Sequence, residues 1–118
     1  MWWGNALECR DRDGVRVVCS KDTWEKHIAP NHDELKGCEA VVKATVENPI
    51  RVYRDRDFAN RKLFYSRGLL PDVHKGDYLR VAVEYRKKRL SETEVGYLRS
   101  AFSCTGIREG DELLWSQF

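Results

Sequence analysis

The chain has 118 residues, four tryptophans and 42% hydrophobic content, enough for one folded core and too little for two domains. No apolar run approaches the roughly 20 residues of a membrane-spanning helix. Met1-Trp2-Trp3-Gly4-Asn5 lacks the basic and apolar segments of a secretory leader, so a cytosolic protein without a membrane partner is expected. The formal charge of +2 hides a segregation: residues 1–50 carry seven Lys/Arg against nine Asp/Glu, residues 51–90 twelve against five, and residues 91–118 two against five.

In chain order, Asp11-Arg12-Asp13-Gly14 reads as a turn before the β-branched run Val15-Arg16-Val17-Val18-Cys19. Ser20 is placed to cap a short helix carrying Trp24 and Ile28 on one side, which Pro30 ends. Residues 31–37 read as a loop, and a second helix fits 38–47, with Cys38, Val41, Val42, Thr45 and Val46 on one stripe. Asn48-Pro49 stops it. The remainder reads as strands: Ile50–Tyr53, Lys62–Tyr65, a segment with Leu79, Val81, Val83 and Tyr85 alternating against Arg80, Ala82, Glu84 and Arg86, then Glu94–Phe102. Turn residues cluster at Leu70-Pro71-Asp72 and Lys75-Gly76-Asp77, and Leu113-Leu114-Trp115 is placed to close the sheet. The fold class expected is α+β, two N-terminal helices covering one face of a mostly antiparallel meander.

The basic centre interleaves Arg51, Arg54, Arg61, Lys62, Arg67 and Arg80 with Tyr53, Phe64, Tyr65, Tyr78 and Tyr85. Guanidinium and ammonium groups neutralise phosphates, and aromatic faces stack on unpaired bases, so a nucleic acid is the first expected partner. In a meander the outward side chains of neighbouring strands merge, which predicts a basic sheet face with His27 or His32 at its rim. The bland alternative is a solvated arginine-rich face. Arg86-Lys87-Lys88-Arg89 is expected as a solvated turn.

Short motifs recur here in a fixed order: Trp24-x-x-His27-Ile28, His32-x-Glu34-Leu35, Val46-Glu47-Asn48-Pro49, Asn60-Arg61-x-x-Phe64-Tyr65, Leu79-x-Val81-x-Val83, Ser100-Ala101-Phe102 and Gly110-x-x-Leu113-Leu114-Trp115. Together they resemble the phage-associated branch of the barnase/EndoU/colicin/RelE-like (BECR) nuclease superfamily. The resemblance covers residues 15–116 and leaves 1–14 as an N-terminal extension to one domain. Two departures are visible: His32-Asp33-Glu34 stands where the family has His-Pro-Glu, and Ser100 where it has Thr. The resemblance implies a small, RelE/barnase-like endoribonuclease that needs no metal or cofactor. It would be a toxin or phage host-takeover factor in a bacterial or phage-infected cytosol, with an antitoxin or immunity protein as a further partner. The alternative is a non-catalytic RNA-binding or inhibitor protein that keeps the fold.

Metal-free RNA cleavage needs a base for the 2′-OH, a cation on the phosphate and an acid for the 5′-oxygen. His27 and His32 are the candidate proton carriers, though His27 could equally pack on Trp24 and His32 sit idle in its loop. Glu34 would orient one of them or cap a turn. Arg61 would hold the phosphate. With Phe64 facing the core, Tyr65 falls on the open face, free to stack on a base or donate to a phosphate. Arg51, Arg54, Lys62 and Arg80 are supporting cations, and Ser100 and Ser103 supporting hydroxyls. His27, His32 and Glu34 lack a fourth ligand at zinc spacing, so no metal is expected. Cys9, Cys19, Cys38 and Cys104 form no CxxC pair and read as buried thiols, with a Cys9–Cys104 disulfide as the alternative.

Overall fold

The computed structural model describes residues 4–32, 35–70, 76–87 and 93–118. Glu34, the turn residues Pro71, Asp72 and Lys75, and the basic residues Lys88 and Arg89 lie outside them. Strand β1 (Asn5–Arg10) turns at Gly14, whose φ of 81° suits a residue without Cβ, into β2 (Arg16–Ser20). The Ser20 side chain then accepts the Thr23 N–H, starting α1 (Lys21–Thr23), which runs directly into a π-helical turn (Trp24–Ile28). Trp24 and Ile28 are both buried. Helix α2 (Glu39–Glu47) buries Val42, Thr45 and Val46, and the Thr45 hydroxyl meets Ser66 at 2.7 Å inside the core. Strands β3 (Arg51–Arg54), β4 (Arg61–Arg67), β5 (Tyr78–Lys87), β6 (Glu94–Cys104) and β7 (Glu112–Ser116) follow.

These form one seven-stranded sheet in the order β1-β2-β6-β5-β4-β3-β7. The fold is therefore α+β, with the two short helices packed on a mostly antiparallel sheet. The meander runs through β3, β4, β5 and β6, and only the β2–β6 pair is parallel. On the helix side, Leu7, Val17, Trp24, Ile28, Val42, Val46, Phe64, Val81 and Val83 form the main core. Among the described residues, no helix is long and apolar enough to cross a membrane.

Local pattern and structure part in two places, at the first strand and along β6, while the closing strand and the unbonded thiols are as expected. Residues 5–10, expected within an extension, are a paired strand that buries Leu7 and Cys9. Strict alternation along β6 fails because an extra residue, Arg99, bulges out where Val83 faces Leu98 and Ala82 faces Ser100. Leu98 and Ala101 therefore both join the helix-side core. Strand β7 closes the sheet by pairing with β3, three strands away from β6. Cys9 packs in the main core and Cys104 against a small cluster on the other face, so they cannot bond, and all four thiols are free.

Candidate nucleic-acid interface

The second sheet face carries a row of cations and aromatic rings. Directly opposed residues of neighbouring strands project to the same side. Arg51 opposes Tyr65, Tyr65 opposes Arg80, and Arg80 opposes Phe102, which makes one row across four strands. A ring contact extends that row beyond the sheet. The turn after the π-helical segment, fixed by the Asn31 side chain donating to the His27 carbonyl, delivers His32 to β6. There its imidazole stacks on Phe102 with centroids 5.4 Å apart and planes 27° from parallel. The Arg80 guanidinium carbon lies 5.2 Å from the centre of the same ring. Arg51 and Arg80 have no carboxylate partner at ion-pair distance among the described residues, and the Arg80 Nε is buried without a hydrogen bond. Ser100 opposes Ala82 on this face.

Since β6 and β7 are separated by β5, β4 and β3, residues 105–111 must cross this face to join them. Ile107 packs on Leu63, Tyr65 and Ala82, and Arg108 holds the crossing in place through Asp55 at 3.3 Å and Asp111 at 2.7 Å. Burial works against the Asp111 charge, yet hydrogen bonds from Arg108 and the Arg56 backbone outweigh it and hold the carboxyl below its usual range. The basic face is thus split, its centre roofed and its two ends open.

The expected site residues separate accordingly. His32, Arg80 and Ser100 share one open end of the face, and Arg51 lies across the buried Tyr65 from Arg80. Tyr65 lies in the row but is fully buried under the crossing, where burial raises its hydroxyl pKa. It cannot stack on a base as expected. Tyr53 and Tyr78 instead meet its ring edge-on, at 5.6 and 6.4 Å. Arg61 shares the face but sits four residues along β4 from Tyr65, about 13 Å at strand rise. Its guanidinium meets Glu84 at 3.4 Å and covers Phe58 at 4.2 Å. Glu84 also binds Arg99 and Arg86, and the Arg99 hydrogen bond holds its carboxyl below the usual range. His27 is exposed on the outer side of the π-helical turn, opposite buried Trp24 and Ile28. Arg54 opposes Lys62 on the helix side of the sheet, where Lys62 meets Asp13 at 3.5 Å, so neither joins the basic face. Ser103 opposes the core residue Leu79 and also points to the helix side.

Sequence reasoning assigned no role to Phe102, the ring that joins His32 to Arg80. Its position next to core-facing Ala101 was the available signal. Comparison with protein-family models, with curated proteins and with solved structures finds no match.

Proposed function

We propose that the chain acts on RNA as a small endoribonuclease, working on the open sheet face beside His32. One observation carries this reading: His32, a side chain of the type that serves in proton transfer, rests on the same Phe102 ring as Arg80, which has no carboxylate at ion-pair distance among the described residues. In the proposed reaction His32 takes the 2′-OH proton, the 2′-oxygen attacks phosphorus, the P–O5′ bond breaks, and the 5′-oxygen is protonated from solvent. Arg80 neutralises the crowded phosphate, Ser100 adds a hydroxyl donor, and Arg51 holds a phosphate further along the RNA strand. No metal or cofactor is called on. The cytosol of a bacterial or phage-infected cell is the proposed setting, where a toxin of this kind implies an antitoxin or immunity protein.

Purified protein should cleave RNA in EDTA and leave 2′,3′-cyclic or 3′-phosphate ends, with His32→Ala about 100-fold slower or worse. Cleavage only with added divalent metal overturns the mechanism, and parent-like cleavage by both His32→Ala and Arg80→Gln overturns the site. A second reading, RNA binding without cleavage, is favoured by the separation of His27 and Arg61 from His32. It predicts salt-sensitive binding with no new RNA ends.

A further inference from the structure

One open end of the basic face is a cleft of about 540 Å³ lined by Ile50, Arg51, Arg67, Gly68, Tyr78, Ile107 and Phe118, within the roughly 300–1,000 Å³ of small-ligand sites. Its floor is apolar and aromatic, and its cations are fixed. The Arg67 guanidinium lies 5.0 Å over the Tyr78 ring while its Nε donates to the Gly76 carbonyl at 3.1 Å. Arg51 donates to the Tyr53 hydroxyl at 3.3 Å and also begins the row that leads through Arg80 to His32. Tyr78 is two residues from Arg80 on the same face, about 7 Å at strand rise.

This combination selects its occupant. A wholly apolar ligand would strip water from Arg51 and Arg67 and give them no counter-charge. A bare phosphate would leave Ile50, Tyr78 and Ile107 wet. A flat ring joined to an anion satisfies both, and a base is free to stack only when it is unpaired. Resting on the RNA reading above, we propose that this cleft is a nucleobase subsite. It takes one unpaired base of single-stranded RNA, stacked on Tyr78 and the Arg67 plane, with the flanking phosphates on Arg51, Arg67 and Arg80.

The probes are a labelled 12-nucleotide single-stranded RNA, the blunt 12-base-pair RNA duplex of the same sequence, and inorganic polyphosphate, which has charge but no bases. The subsite predicts that parent protein prefers the single strand to the duplex. Tyr78→Leu should weaken single-strand binding about tenfold and leave polyphosphate binding unchanged. Arg67→Gln, at an exposed position that leaves the core intact, should weaken both. If the parent binds the single strand but Tyr78→Leu binds it equally well, or loses polyphosphate in the same proportion, the subsite is wrong and the RNA reading stands. The same holds if Arg67→Gln changes neither ligand. If the parent binds no RNA at all, the RNA reading fails and the subsite with it.

Discussion

The Tyr85 hydroxyl donates to the Asp11 carboxylate across 2.6 Å, joining the tip of the first hairpin to the central strand β5. The other Asp11 oxygen accepts the Asp13 and Val15 N–H groups, so one buried side chain both shapes the hairpin turn and anchors it. Tyr85→Phe should cost about 1.5–3 kcal/mol of stability, the value of a hydrogen bond to a charged group. Urea unfolding measures it, and a loss under about 0.5 kcal/mol would mean that the anchor is unimportant. Burial, then the hydrogen bond to Asp11 and its charge, raise the Tyr85 hydroxyl pKa above its ordinary range. An acid whose folded pKa exceeds its unfolded one stabilises fully below the unfolded value, about 10 for tyrosine. That contribution is lost as pH rises above it, so the gap between parent and Tyr85→Phe should narrow in alkali.

Gly96 lets the Tyr85 ring lie close to the sheet. A Cβ there would come 2.7 Å from Val83 Cγ1, 3.0 Å from Val17 Cγ2 and 3.1 Å from Tyr85 Cε1. The first two contacts are with core valines on β5 and β2, which have little room to retreat. Gly96→Ala should therefore destabilise by about 1–3 kcal/mol through overpacking. An unchanged unfolding midpoint would contradict the close approach of β2, β6 and β5.

The two faces of the sheet should respond differently to loss of charge. Arg51→Gln and Arg80→Gln each remove a cation of the open face, and each should lower the salt slope of RNA binding by about one. Arg54→Gln and Lys62→Gln change the helix side and should leave that slope alone. Equal effects from all four would mean that the charge acts diffusely and no face is preferred.

The thiols report on docking of the first hairpin. Burial raises the pKa of Cys9 to about 11 and of Cys19 to about 12, so neither supplies thiolate at pH 8. Half-buried Cys104 should be the first to react with a disulfide reagent in folded protein, and all four should react after denaturation. Reaction of Cys9 or Cys19 as fast as Cys104 would show the hairpin open.

What the sequence disclosed follows the range of its signals. The alternation of Leu79, Val81 and Val83 against Arg80 is local, and it correctly put Arg80 on the face away from the helices. The cap at Ser20 and the stripe of α2 were legible for the same reason. The burial of Tyr65 was not, because its cover is Ile107, brought over from a distant connection. The pairing of Arg61 with Glu84 across strands depends on register, which composition does not encode. The bulge at Arg99 hid the shared core side of Leu98 and Ala101, since one extra residue reverses every later position of a period-two pattern.

The parallel β2–β6 pair, Arg16 with Val95 through Val18 with Tyr97, joins positions about eighty residues apart in sequence. During synthesis β2 leaves the ribosome long before its partner exists, and closing so large a loop carries an entropic cost that local pairs avoid. The β3–β6 meander can assemble from neighbours as it emerges, whereas the first hairpin, which packs on α2, has no strand to join it to the rest of the sheet until β6 is made. Strand β2 thus finds its partner in the sheet later than the meander strands find theirs, and until then it is a segment open to aggregation or capture by a chaperone.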